Sequence, residues 1–231
     1  LAGWDTSSTL SGNDVSKYKH GIKEAAGTPV YSTTDPKFGS TSMYLGGSEY
    51  FQIDSNSLFD FGFRLPFTVE LWFKTSTTSH ESFISHFDES SPYDGWELGI
   101  NSTGKMIAWI GSGAWLDGSA VVNDDAWHHA ALTFDGTSYT IWVDGASDGT
   151  STSTTADTAP GSKLDVTIGG SSNAATNRIY TGYLDEIRVT RGSVRYTAAF
   201  TVPSAAFPRS TDKLVTVVTG AQGNFTPLQT T

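Results

Sequence analysis

The sequence predicts an all-β chain, a sandwich of two antiparallel sheets, and three observations carry that prediction. Short runs of alternating apolar and polar residues recur from Met43 onward, separated by Gly, Asp, Asn, Ser or Pro, which is the spacing of a sandwich or barrel. Helical signals are nearly absent: the best candidate, residues 15–26, contains Gly21 and no sustained apolar spacing at three and four residues, so it reads as loop. Charged residues are only 16% of the chain, so Gly, Ser and Thr rather than charges must supply turns and wet surfaces.

The elements follow in order. In residues 67–74, Phe67, Val69, Leu71 and Phe73 fall on one face and Thr68, Glu70, Trp72 and Lys74 on the other, predicting a core face backed by a half-wet one. Residues 96–100 and 105–110 flank Asn101-Ser102-Thr103-Gly104, and residues 127–134 and 139–143 flank Asp135-Gly136-Thr137-Ser138; both read as hairpins. Asp144-Gly145 ends the second, and residues 146–162 are small, polar and dominated by Ser and Thr, a loop more than a strand. Residues 164–169 resume the sheet.

Residues 180–191 read as a further strand, with Tyr183, Asp185, Ile187 and Val189 alternating against Leu184, Glu186, Arg188 and Thr190. One of the two adjacent carboxylates then points to the more buried side, where it must meet a cation, an arginine or several backbone N–H groups. Residues 201–208 cannot form a central strand because of Pro203 and Pro208, and should run along the outside as a strap. Residues 214–218 are a last β-branched run, and 220–231 are polar without pattern, a tail or linker. The expected division is one domain over residues 1–207 and a C-terminal strand with tail over 208–231.

Bulk chemistry excludes some functions. With 14 Lys+Arg against 24 Asp+Glu and no basic stripe, the formal charge of -10 argues against nucleic acid or an anionic membrane as partner. No cysteine is present, so neither disulfides nor thiolate chemistry can operate, and the core must rest on packing alone. No apolar run approaches the length that spans a bilayer, so a soluble chain is expected, and its opening at Leu reads as a piece of something longer.

Five segments, in order, carry a resemblance: Tyr44-Leu45-Gly46-Gly47-Ser48-Glu49-Tyr50-Phe51-Gln52-Ile53, Phe67-Thr68-Val69-Glu70-Leu71-Trp72-Phe73-Lys74, residues 127–136 beginning Trp127-His128-His129, Tyr139-Thr140-Ile141-Trp142-Val143-Asp144-Gly145, and Gly182-Tyr183-Leu184-Asp185-Glu186-Ile187-Arg188-Val189. Together they resemble the concanavalin A-like, laminin G-type jelly roll. The ending over residues 192–203 is similar to that of such domains in virion proteins of tailed phages, marine ones among them. The resemblance implies two antiparallel sheets, one of them concave, with rim loops that often bind carbohydrate. It also implies a structural Ca²⁺ held by an acid near the N-terminus, a carbonyl in the Gly-Gly segment and the Asp of the last long strand, which here are Asp5, Gly47 and Asp185; hard oxygens are the ligands Ca²⁺ needs. The alternative is that Asp185 pairs with Arg188 or Arg178 and holds no metal.

Catalytic relatives carry Glu-x-Asp-x-x-Glu on one strand, and that pattern is absent: Glu70 is followed by Leu71-Trp72, Glu97 by Leu98-Gly99 and Glu186 by Ile187-Arg188. His128 and His129 are adjacent and face opposite sides of a strand, one core and one surface, while His80 and His86 lack zinc-site companions. Residues 88–96 and 111–118 combine aromatics with short acids, which suits a sugar: an apolar ring face stacks while hydroxyls are hydrogen-bonded. Tyr93, Asp94, Trp115 and Asp117 are the candidate carbohydrate contacts, Trp115 first among them, whereas Trp72, Trp109, Trp127 and Trp142 read as packing. The expectation is a non-enzymatic structural or adhesive module of a virion surface, such as a capsid decoration, fibre or tail protein. Its partners would be other virion proteins and cell-surface glycans, with no nucleic acid and no membrane, and with self-association into a homo-oligomer left open. A secreted microbial lectin or glycoside hydrolase of the same fold is the alternative.

Overall fold

A computed structural model describes residues 2–3, 13–14, 20–54, 59, 65–88, 94–111, 115–152, 165–171 and 178–208. Those residues form sixteen strands and no helix: β1 (Ala2–Gly3), β2 (Asn13–Asp14), β3 (Ile22–Ala26), β4 (Val30–Ser32), β5 (Ser42–Gly46), β6 (Tyr50–Ile53), β7 (Phe67–Lys74), β8 (Glu81–Asp88), β9 (Asp94–Ile100), β10 (Lys105–Ile110), β11 (Leu116–Val121), β12 (His128–Phe134), β13 (Ser138–Val143), β14 (Ala146–Thr152), β15 (Val166–Ile168) and β16 (Thr181–Arg191). Nine strands make one sheet, ordered β14-β13-β12-β7-β16-β1-β2 with β5 also on β16 and β4 beyond β5; seven make the other, ordered β11-β10-β9-β8-β15-β6-β3. The all-β sandwich of two antiparallel sheets is thus observed.

The alternating residues of β7 fix the layers. Val69, Leu71 and Phe73 are fully buried and meet Phe83, Leu98 and Ile100 from the opposite sheet in one core; Phe73 stacks on Phe83 with centroids 4.5 Å apart. Burying each such side chain is worth about 1.5–3 kcal/mol relative to exposure, so this two-period pattern sets both register and stability.

Three expectations need correction. Residues 22–26 and 146–152, read as loops, are the strands β3 and β14. Both close a sheet edge with small or polar side chains and are held by backbone ladders to β6 and β13, which side-chain patterning does not advertise.

The second face of β7 is dry, not half wet: Thr68, Glu70 and Trp72 are buried, leaving Lys74 partly open. The cover is the expected strap, which begins earlier than its prolines indicate. Residues 192–208 cross the outer face of the nine-stranded sheet, where the Arg188 guanidinium lies 3.7 Å from the Phe207 ring centroid and the Phe207 N–H donates to Glu186 Oε2 at 2.6 Å. Phe200 N–H donates to the Gly145 carbonyl at 2.9 Å. Beneath the strap, Glu70 accepts from Arg188 Nε (2.7 Å) and the Tyr196 hydroxyl (2.6 Å), with His129 Nε2 at 3.3 Å.

The third correction concerns the alternation in β16. Asp185 opposes Trp72 and Arg188 opposes Glu70, so Glu186 and Ile187 together face Leu71 alone, a bulge with Glu186 at φ +50°. The extra residue resets the period. Leu184 and Ile187 both reach the core, and both carboxylates turn to the outer face, Glu186 beneath the strap and Asp185 beneath the backbone of Lys37 and Phe38. The two adjacent histidines do diverge: His129 is buried under the strap, while His128 sits between Asp124 (3.0 Å) and Asp144 (2.7 Å). The expected run at 214–218, like the rest of 209–231, lies outside the described residues.

Candidate binding face

On the seven-stranded sheet, strand pairing lines up one residue from each of six neighbouring strands: Lys23, Gln52, Thr167, Ser85, Glu97 and Trp109. Their sequence neighbours Phe51, Ile168, Ile84 and Trp96 belong to the core, so the two-residue period turns the row outward. Leu116 opposes Ala108, which brings Trp115 beside Trp109 at the end of the row, ring centroids 5.1 Å apart.

Glu97 is wholly buried at the centre. Its Oε2 accepts from Arg178 Nη2 (3.2 Å), which also donates to Ser171 Oγ (2.8 Å). Burial pushes the Glu97 carboxyl up to about 8, against a weaker opposing pull from the Ser171 and Ser82 hydroxyls, and burial brings Arg178 down to about 10. The guanidinium lies 5.5 Å from the Trp115 ring and 5.8 Å from Phe87. His80 meets Trp115 edge-on at 5.0 Å, held below its ordinary value by burial and by Arg178. Among the described residues, Thr167 Oγ1 is buried without a hydrogen-bond partner, and the Glu97 carboxyl has only Arg178 and the Ser82 and Ser171 hydroxyls beside it. Buried polar atoms are nearly always paired, so a polar cluster with so few internal partners stands out on this face.

Such a cluster can stack a ring and exchange hydrogen bonds. Among the described residues, the hydrogen-bond partners of Glu97 are an arginine and hydroxyls rather than a second carboxylate.

Of the sequence-predicted contacts, Trp115 is in the cluster. Asp117 is exposed on β11 and accepts from Asn101 Nδ2 at 3.3 Å beside the 101–104 turn. Asp94 opens β9 opposite Asp88, its side chain outside the described set, and Tyr93 lies outside the described residues. Sequence reasoning missed Glu97 and Arg178 and took Trp109 for packing alone. The overlooked signal was a carboxylate between Trp96 and Leu98, the same signal that singled out Asp185.

At Asp185 the backbone supplies the partners. Oδ2 accepts from the N–H groups of Lys37 (3.1 Å) and Phe38 (3.2 Å), and Oδ1 from that of Glu186 (2.8 Å). Burial pushes this carboxyl up to about 7; the neighbouring Glu186 charge adds to the rise and the N–H groups oppose it. Arg188 is engaged by Glu70 and Arg178 by Glu97. Gly46 opposes Thr181 and Met43 opposes Leu184, so Gly47, just past β5, stands about 17 Å along the chain direction from the position facing Asp185, at roughly 3.4 Å per residue. Asp5 lies outside the described residues, and among those described no three His, Asp or Glu side chains gather as metal ligands. The described part of the implied calcium set, Gly47 with Asp185, is therefore not brought together.

Residues 45–195, more than half of the chain, match a laminin G family described as the concanavalin A-like lectin/glucanases superfamily. No curated protein is similar enough in sequence to count as a relative. Among solved structures, domain 4 of AbnA, a GH43 extracellular arabinanase from Geobacillus stearothermophilus, solved in complex with arabinotriose, is 20% identical, with a TM-score of 0.60 over 79% of this chain and 87% of that one. A botulinum neurotoxin type C structure, reported with cell entry dependent on two ganglioside molecules, is 13% identical, with a TM-score of 0.58 over 82% of this chain and 46% of that one. The binding domain of Paraclostridial Mosquitocidal Protein 1 is 11% identical, with a TM-score of 0.57 over 84% and 48%. This chain thus spans about half the length of the toxin domains it matches.

Proposed function

Given that the chain belongs to the concanavalin A-like lectin/glucanase superfamily, we propose that it is a carbohydrate-binding module acting without catalysis, its ligand seated on the row from Thr167 to Trp115. The observation that carries this reading is the coincidence of a tryptophan pair with the polar cluster of Glu97, Arg178, Ser82 and Thr167 on one face. Indole faces take the apolar side of a sugar ring, and the arginine, hydroxyls and carboxyl satisfy its rim. Neighbours of the same fold that were solved with arabinotriose, or described as dependent on gangliosides, support the ligand class. Its setting is an adhesive or structural part of a virion surface, among other virion proteins; the likeness of residues 192–203 to phage domains supports this, and immunogold labelling of purified particles checks it.

A glycan array probed with the wild type and Trp115→Ala tests the site. Trp115 is half-buried at a strand end, so the variant is expected to melt near the wild-type temperature while its glycan signal drops at least tenfold. An unchanged signal removes this site.

A further inference from the structure

We infer a second saccharide site on the opposite layer, in the groove that the strap leaves open over β12, β13 and β14. The groove encloses about 400 Å³ and is lined chiefly by Thr133, Ser138, Thr140, Trp142, Thr150 and Tyr196. That volume is in the range of small-molecule sites.

Its floor is built by register. Thr190, Thr68, Thr133, Thr140 and Thr150 oppose one another across five neighbouring strands, β16, β7, β12, β13 and β14, on the outer face. The strap buries the first three and stops short of the last two. Thr140 is therefore partly open and Thr150 exposed, their hydroxyls 3.3 Å apart at the strap's flank. The aromatic walls are fixed independently of any ligand. Trp142 Nε1 donates to Thr133 Oγ1 at 2.8 Å, and Tyr196, its hydroxyl on Glu70, stacks on Phe200 with centroids 3.6 Å apart and planes 7° from parallel. Walls held this way lose little freedom on binding, which favours affinity.

The lining also sets the ligand class. Among the described residues, neither lysine nor arginine lines the groove and the one charged side chain is Asp135, which disfavours an anion. Asp135 Oδ1 accepts from the N–H groups of Thr137 and Ser138, which holds the turn at the groove's mouth. Rows of hydroxyls at the strand spacing of about 4.8 Å beside two aromatic rings suit a neutral pyranose or furanose. With ligands on both layers, one molecule would bridge two glycan chains.

The experiment follows the indole N–H resonance of Trp142, assigned through Trp142→Phe, during titration with cellotriose and with arabinotriose. The expected result is a saturable shift in the wild type and in Trp115→Ala, weakened at least tenfold in Ala198→Arg and in Thr150→Arg, which block the groove from its two exposed sides. Either blocking variant suffices if the other fails to fold. No shift with either sugar, or one that survives the blocking variants, overturns the second site. A Trp142 shift lost in Trp115→Ala also overturns it, because it would then report only the first face. Loss of the Trp115-dependent array signal alone leaves the groove standing, so the two sites fail separately.

Discussion

Replacing Glu70 by Gln should cost about as much stability as any single change outside the apolar core. The carboxyl is wholly buried; Oε1 is shared by Arg188 Nε (2.7 Å) and Arg195 Nε (3.1 Å), and Oε2 by the Tyr196 hydroxyl (2.6 Å) and His129 Nε2 (3.3 Å). Burial alone would push the carboxyl up, but the bonds from His129, Arg188 and Tyr196 outweigh it and hold Glu70 at about 2, down from 4.5. A depression of that size corresponds to roughly 3 kcal/mol in favour of the folded state. Because the folded value is the lower one, that stability is present above the ordinary 4.5 and is lost as pH falls toward 2. Gln cannot supply the charge, so Arg188, only 3% exposed, is left uncompensated, and breaking such a buried pair typically costs about 3–5 kcal/mol. Urea unfolding of wild type and Glu70→Gln at pH 7, 5 and 3 measures this: a gap of about 3 kcal/mol at pH 7 should narrow at pH 3 as the wild-type carboxylate begins to protonate. A gap of the same size at pH 7 and pH 3, or none at pH 7, refutes the reasoning.

Glu97 has the opposite sign. Its carboxyl is raised to about 8, so the stability it contributes is present below 4.5 and lost as pH rises through 8; Glu97→Gln should gain on the wild type in melting temperature between pH 5 and pH 9, and parallel profiles would sink the idea. Gly145 has φ +83°, and an added Cβ would lie 2.0 Å from the Phe200 carbonyl oxygen, so Gly145→Ala should lose more than about 1 kcal/mol and open residues 192–208 to protease. Unchanged melting and digestion would contradict it. Both oxygens of Asp185 already accept backbone N–H groups, so dialysis against EDTA should leave the melting temperature unchanged; a fall of several degrees would instead support the expected calcium.

Where the sequence could be read and where it could not has a physical pattern. The layers and core face of β7, the two hairpins and the strap were legible, because alternation, turn residues and proline act locally. The dry outer face of β7 was not: the groups that cover Glu70 come from Tyr196 and Arg195, some 125 residues on, and local pattern carries no such pairing. The bulge at Glu186 was hidden for a related reason. Strict alternation is the default, and only Leu184 and Ile187 both seeking the core, three residues apart, betrayed the extra residue. The edge strands β3 and β14 lack an apolar face to announce them. At the candidate site Trp115 was found by composition, whereas Arg178 reaches Glu97 from 81 residues away and only the fold could show that pairing.

The position of β16 governs how the chain acquires its shape. It lies between β7 on one side and β5 and β1 on the other, so the middle of the larger layer is filled by the last of the described strands. More than a hundred residues separate β7 from β16, and at about 5–20 residues per second a ribosome needs roughly 5–20 s to close that interval. Throughout it, the β7 flank that β16 will occupy stays open to chance pairing with other nascent chains. Contacts of such long sequence separation form slowly, and the larger layer closes only after β16 has been released.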